Sequence, residues 1–236
     1  MHIQPIGTGG AFDPYETCYL VNDCVLIDCG PSAIKRTFAD GRAKGITHVF
    51  LSHIHNDHIG GFETLYYYLK YVAQKPLTEV YCPGEFYKLS QRLACMQKPM
   101  GGTIDFKYNY LGQYSSNFVF IETEYGNIAV QPFKVQHSFL EAYGFAIVEQ
   151  GTGKTAIISC DTDLPVNAGR DRFDLMFHDI GWEGLPAEAD DHKVHPRESD
   201  LVEAFGTEAP IITIHTSDNT PYGVYPRAVR DKIYHV

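Results

Sequence analysis

Short apolar runs broken by glycine dominate the first part of the chain. His2 to Ile6 reads as a strand running into Gly7-Thr8-Gly9-Gly10. Thr17 to Asn22 and Cys24 to Asp28 read as two more, with Asn22-Asp23 as a hairpin turn. Pro31 to Gly45 predicts a helix with Lys35, Arg36, Arg42 and Lys44 on its exposed face. Thr47 to Leu51 has the apolar run of a buried strand, and Gly60 to Ala73 has the length and spacing of a helix.

A second β-rich stretch occupies the centre: Phe118 to Thr123, Ile128 to Val135, Tyr143 to Glu149 and Thr155 to Ser159, each bounded by Gly, Asn or Pro. Leu175 to His178 and Ile211 to His215 then predict strands, with a helix over Glu198 to Phe205 between them. Strands followed by helix, twice over, imply two mixed β-sheets packed together and flanked by helices. The expectation is one α/β (α+β) domain over residues 1–236, an αββα sandwich. No repeat or low-complexity linker divides it.

Composition narrows the class. With 44% apolar and 20% charged residues the chain is globular rather than disordered. No apolar run reaches the ~18 residues of a membrane span, and Met1-His2-Ile3-Gln4-Pro5 does not read as a signal peptide. Six cysteines without a CxxC pair read as reduced thiols, so a cytoplasmic protein without membrane partners is expected. A net charge of −10 argues against broad contact with nucleic acid, while leaving carboxylates to hold cations.

The chemistry concentrates in His53-x-His55-x-Asp57-His58, three imidazoles and a carboxylate between a predicted strand and a predicted helix. Nitrogen and oxygen donors of this kind suit Zn²⁺, Mn²⁺ or Fe²⁺. Four ligands so close cannot all serve one ion that keeps an open position. Division between two ions ~3.5–4 Å apart is the natural solution, as in two-metal hydrolytic sites.

This segment, with His137 after a strand, Asp161 in Ser159-Cys160-Asp161-Thr162 and His215 at a strand end, resembles the metallo-β-lactamase superfamily over nearly the whole chain. The resemblance implies that His53, His55 and His137 bind a first metal and that Asp57, His58 and His215 bind a second. Asp161 would bridge both, together with a water made acidic by the ions. Asp57 could in addition act as a base toward that water. The ions expected are two divalent cations, zinc first, with Mn, Fe or Co as alternatives. Gly7-Thr8-Gly9-Gly10 matches the family's opening glycine turn, and Asp28-Cys29-Gly30 its strand-ending D-x-G, where Asp28 would buttress the metal loop by hydrogen bonds.

Which branch is involved turns on the stretch before His215. Asp174-Leu175-Met176-Phe177-His178-Asp179 resembles the H-E-A-T segment of the tRNase Z branch, with Asp for Glu, and His192-Lys193-Val194-His195-Pro196 stands where that branch has its second His motif. The resemblance makes His195 the general acid toward the leaving alkoxide and Asp179 its partner, with His192 as the alternative acid. His137 and Asp161 are only 24 positions apart, which leaves no room for the arm that grips tRNA.

The chain thus resembles armless tRNase Z-like phosphodiesterases, among them the phage and bacterial anti-Pycsar enzymes that open cyclic pyrimidine nucleotides. That implies an enzyme, a metal-dependent hydrolase of a small phosphodiester such as a cyclic mononucleotide, working as a homodimer. The alternatives are a lactonase- or thioesterase-type acyl hydrolase of the same fold, or a tRNase Z-type 3′ RNA endonuclease. Tyr143, Tyr222 and Tyr225 lie close enough in sequence to His137 and His215 to reach a substrate, whereas Trp182 would pack beneath the Asp179 segment.

Overall fold

The computed structural model describes residues 1–11, 13–75, 77–86, 91, 106–166, 172–181, 195–215 and 223–236. Strands β1 (His2–Gly7), β2 (Cys18–Val21), β3 (Val25–Ile27), β4 (His48–Phe50), β5 (Glu79–Cys82), β6 (Lys107–Tyr110) and β13 (Tyr234–His235) form a seven-stranded sheet in the order β13-β1-β2-β3-β4-β5-β6. Strands β7 (Val119–Ile121), β8 (Ile128–His137), β9 (Leu140–Glu149), β10 (Thr155–Ile158), β11 (Leu175–Asp179) and β12 (Ile211–Ile214) form a second, six-stranded sheet in the order β12-β11-β10-β9-β8-β7. Both sheets are mixed. Pairs β3–β4, β4–β5, β5–β6, β10–β11 and β11–β12 are parallel and the rest antiparallel.

Alternation explains why the sheets stack. Tyr19, Val21, Val25, Ile27, Phe50 and Tyr81 point from the first sheet into a buried layer shared with Val130, Phe145, Ile147, Ile158 and Phe177 of the second. Their chain neighbours Cys18, Leu20, Leu26, Val49, Leu51 and Val80 face the opposite way, onto Ala33 and Ile34 of helix α1 (Pro31–Asp40) and Phe62 and Leu65 of helix α3 (Phe62–Tyr67). Ile157, Met176 and Ile211 on the outer side of the second sheet pack on Leu201 and Phe205 of helix α4 (Glu198–Phe205). A strand buried on both faces must be apolar at every position, which is the pattern of parallel strands under helices. Pro132 sits within β8 where β7, which pairs only with Ile128 to Val130, has already ended, so its missing N–H interrupts no ladder there.

Two predicted helices are modified. The helix begun at Pro31 stops at Asp40, because Gly41 adopts φ 85°, and a 3₁₀ turn over Arg42–Gly45 follows. Its amino end is capped from outside: the Glu16 carboxylate accepts the Ser32 N–H at 2.8 Å and the Ser32 hydroxyl at 3.1 Å. The helix expected over Gly60 to Ala73 is α-helical from Phe62 to Tyr67 and widens to a π-turn over Tyr68–Ala73. Strands β5 and β6, not expected from the pattern, extend the first sheet. Asn22 and Asp23, with φ 45° and 57°, make the predicted hairpin turn, closed by the Cys24 N–H donating to the Val21 carbonyl at 3.2 Å, with Val21 paired to Val25 across it. No helix among the described residues is long and apolar enough to cross a membrane.

Candidate metal centre

Strand ends of both sheets converge on one point. β4 ends at Phe50, and the chain then turns over Asp28, the residue that follows β3. Asp28 is fully buried; its Oδ1 accepts the Ser52 N–H at 2.7 Å and its Oδ2 the Ser52 hydroxyl at 2.8 Å. The same Oδ2 lies 2.7 Å from His58 Nδ1, so His58 donates from Nδ1 and turns Nε2 inward. Helix α2 (Asn56–Ile59) is a single turn that carries Asp57 and His58, and it is tied back by the Cys29 N–H donating to the His58 carbonyl at 2.6 Å. This tight return requires Gly30: a Cβ there would stand 2.6 Å from Glu16 Cβ and 2.9 Å from the Asp57 carbonyl.

From the second sheet come His137, the last residue of β8, Asp161 three residues beyond β10, and His215 directly after β12. His53 Nε2 is 3.0 Å from His55 Nδ1, and His137 Nε2 is 3.3 Å from the same atom. Asp161 sits between the imidazoles, with Oδ1 3.1 Å from His58 Nε2 and Oδ2 3.4 Å from His215 Nε2 and 3.9 Å from both His53 Nε2 and His137 Nε2. Asp57 Oδ2 lies 3.5 Å from His58 Nε2 and 3.6 Å from His215 Nε2. Two sets of donor atoms result, His53/His55/His137/Asp161 and Asp57/His58/Asp161/His215, each with its atoms within 4.8 Å of one another and with Asp161 common to both. Gly10 closes one side, since a Cβ on it would be 2.8 Å from His215 Nε2.

The electrostatics follow from one buried carboxylate among imidazoles. Burial alone would push Asp161 up, but His215 and His58 hold it well below the ordinary carboxylate range. Burial likewise opposes the charged form of His58, and Asp161 and Asp28 overcome it to raise this imidazole well above its usual value. His53 is driven well below its usual value by burial, with His58 adding to the effect. A proton and a metal ion compete for these same atoms.

The donor set fits divalent cations. His58 Nε2, His215 Nε2 and Asp161 Oδ1 are buried and have no hydrogen-bond partner, although buried polar atoms are ordinarily satisfied. All three point into the cluster, and all are borderline nitrogen or hard oxygen donors of the kind Zn²⁺ and Mn²⁺ accept.

Beside these sets stands a third. His195 Nδ1 lies 2.6 Å from Asp179 Oδ2, at the end of β11, and the His195 ring centroid is 4.6 Å from that of His215 and 5.4 Å from that of His137. All nine sequence-predicted site residues therefore gather in one place. His192, Tyr222 and Trp182 lie outside the described residues. Tyr143 and Tyr225 turn inward instead of toward the cluster: both are buried, the first hydrogen-bonded to Glu141 Oε1 at 2.7 Å and the second to the Gly206 carbonyl.

Two supporting residues escaped the sequence reading. Ser52 Oγ is 3.0 Å from His53 Nδ1, and Asp163 Oδ1 is 3.5 Å from His137 Nδ1 while it accepts the Ser138 N–H at 3.0 Å. Only the second Asp of Asp161-Thr162-Asp163 hinted at the latter. Outer partners of this kind fix ring orientation and typically contribute 10–100-fold in metal affinity. Asp28→Ala should accordingly weaken Mn²⁺ or Zn²⁺ binding by about 10–100-fold, measured by competition against a chromophoric chelator. Unchanged affinity would contradict the role given to Asp28.

Comparison with known proteins now places the chain. The family model "Anti-Pycsar protein Apyc1" matches residues 1–204. The chain belongs to that family. A curated relative described as "Anti-Pycsar protein Apyc1" from Paenibacillus harenae is 44% identical over 69 residues, 27% of this chain and 29% of the relative, so the match spans less than a third of that protein. The metallo-β-lactamase fold protein YhfI from Bacillus subtilis superposes with a TM-score of 0.73 at 15% identity, covering 99% of this chain and 98% of YhfI. Human tRNase Z, short form, superposes with the same TM-score of 0.73 at 18% identity, covering 100% of this chain and 99% of that one. The two sheets and their flanking helices are those of the metallo-β-lactamase fold.

Proposed function

We propose that this family member is a two-metal phosphodiesterase that opens a cyclic mononucleotide, a cyclic pyrimidine nucleotide first among them, to the linear monophosphate. The observation that carries the reading is the buried His195–Asp179 pair, 2.6 Å between Nδ1 and Oδ2, set against the rings of His137 and His215. A phosphodiester expels an alkoxide, a poor leaving group that needs a proton. Asp179 accepts from His195 Nδ1 and so favours the doubly protonated imidazolium, whose Nε2–H is the proton given to the departing ribose oxygen, leaving the neutral Nδ1–H ring.

His53, His55 and His137 would hold one divalent cation and Asp57, His58 and His215 another, with Asp161 available to both sets. Such ions, zinc first with Mn, Fe or Co as alternatives, supply Lewis-acid neutralisation of phosphoryl charge and a water activated at neutral pH. Asp57, whose carboxyl is held below the usual range by His215 and His58 against the opposing effect of burial, stays an acceptor able to orient that water. The segment between His137 and Asp161 consists of β9, β10 and short turns and carries no tRNA-gripping insertion, which favours a small substrate.

The test is a panel of 3′,5′-cyclic mononucleotides, precursor tRNA and an N-acyl-homoserine lactone, each offered to Mn²⁺- or Zn²⁺-loaded protein, with products separated by chromatography. Conversion of a cyclic pyrimidine nucleotide to its monophosphate is expected. Turnover confined to the lactone moves the protein to the acyl hydrolases, and turnover confined to tRNA restores the endonuclease reading.

A further inference from the structure

Each imidazole that faces the candidate metal centre through Nε2 needs something behind Nδ1 to hold its tautomer and ring plane. Three such partners serve metal-ligand candidates alone: Ser52 Oγ behind His53 at 3.0 Å, and 3.5 Å from His58 Nδ1 as well, Asp28 Oδ2 behind His58 at 2.7 Å, and Asp163 Oδ1 behind His137 at 3.5 Å. The fourth is different. Behind His215 Nδ1, at 3.5 Å, lies Asp179 Oδ1, and Asp179 is already the partner of His195 through its other oxygen.

Asp179 is built to hold this double position. It is fully buried at the end of β11, and its own N–H donates to Ser159 Oγ at 2.8 Å. Its Oδ2 accepts the Thr162 N–H at 3.0 Å as well as the His195 Nδ1–H. Its carbonyl accepts the Nδ1–H of buried His178 at 2.7 Å, while His178 Nε2 accepts the Val166 N–H at 3.1 Å. The carboxylate is thereby fixed in rotation, with Oδ1 buried, lacking a hydrogen-bond partner, and closest to His215. The His195 and His215 rings lie over it 4.6 Å apart and 32° from parallel.

We infer that Asp179 is a positioning residue for two sites at once, setting the acid His195 with Oδ2 and the metal-ligand candidate His215 with Oδ1, so that metal affinity and placement of the acid each depend on one carboxylate. The inference rests on the metal and acid roles proposed above. It differs from an acid-orienting role alone in one respect: losing Asp179 must weaken cation binding even where His195 is absent.

The experiment titrates Mn²⁺ calorimetrically into wild type, His195→Ala, Asp179→Asn, Asp179→Glu and the His195→Ala/Asp179→Asn double variant, with thermal melts showing that each is folded. Asp179→Asn should weaken one Mn²⁺ step by about 10–100-fold, the range for a lost outer-shell partner, in both the wild-type and His195→Ala backgrounds. His195→Ala alone should leave both steps unchanged, and Asp179→Glu, which retains the carboxylate, should recover most of the affinity. Equal Mn²⁺ affinity in wild type and Asp179→Asn overturns the double role and leaves the metal reading standing. So does an effect of Asp179→Asn that vanishes once His195 is gone. Wild type that binds no Mn²⁺ or Zn²⁺ overturns the metal reading and the double role together.

Discussion

Asp161→Asn is expected to leave a folded protein with turnover reduced at least ~10³-fold. The substitution keeps size and shape but removes the one carboxylate common to both donor sets. Asp161 Oδ1 faces His58 and Oδ2 faces His215, His53 and His137, so the amide would direct an N–H at nitrogen atoms that are needed as donors to a cation. At least one ion should then be lost. Lewis-acid stabilisation by a bound metal is worth several kcal/mol, and ~4 kcal/mol corresponds to ~10³ in rate. Chelation of wild type should reach the same floor, and added Mn²⁺ should restore the wild type but not the variant. The measurements are bound metal per chain by elemental analysis and turnover of a cyclic mononucleotide. Two full equivalents of metal with near-wild-type turnover in Asp161→Asn would remove Asp161 from the bridging position.

How far the sequence revealed this centre depends on whether the signal is compact. His53 to His58 is legible because four donors in six residues have no other reason to be adjacent. His137, Asp161 and His215 are legible because each stands at the end of a β-patterned run, where a parallel or long antiparallel strand delivers its last side chain to the rim of a sheet. Asp163 and Ser52 are not, since a lone carboxylate or hydroxyl beside a ligand carries no pattern until the ring it supports has a direction. Nor could the backbone be foreseen. Asp28, Ser138, Cys160 and His215 all take positive φ, at 57°, 53°, 52° and 62°, and none is glycine. Such left-handed residues cost about 1–3 kcal/mol each and collect where a site fixes them from several sides.

The strands tell the same story. β5 and β6 escaped because Glu79–Cys82 is only four residues long, and Lys107–Tyr110 mixes polar and aromatic positions without a dominant face. Their order in the sheet comes from parallel pairing of β5 with β4 and of β6 with β5, contacts that no local period encodes. Conversely, β8 runs to His137, two residues past its apolar run, because β9 pairs with it along its whole length and ends the hairpin at His137 opposite Leu140.

His195→Ala should divide substrates by leaving group. Toward a cyclic mononucleotide, whose departing ribose oxygen needs a proton, kcat should fall by about 10²–10⁴, the range for loss of a general acid. Toward bis(p-nitrophenyl) phosphate, whose phenolate leaves without one, kcat should change far less. The structure motivates the contrast because His195 reaches the cluster without belonging to either donor set that contains Asp161: its Nδ1 is committed to Asp179 at 2.6 Å and its ring lies beside those of His215 and His137. Removing it takes away a proton source and leaves the shared carboxylate and five imidazoles in place. An effect equal on both substrates would mean that His195 acts through packing or metal binding, and the acid would have to be sought elsewhere. A drop confined to the alkoxide leaving group, with unchanged metal content, would separate the phosphodiesterase from an acyl hydrolase on the same scaffold, where no such dependence on His195 is expected.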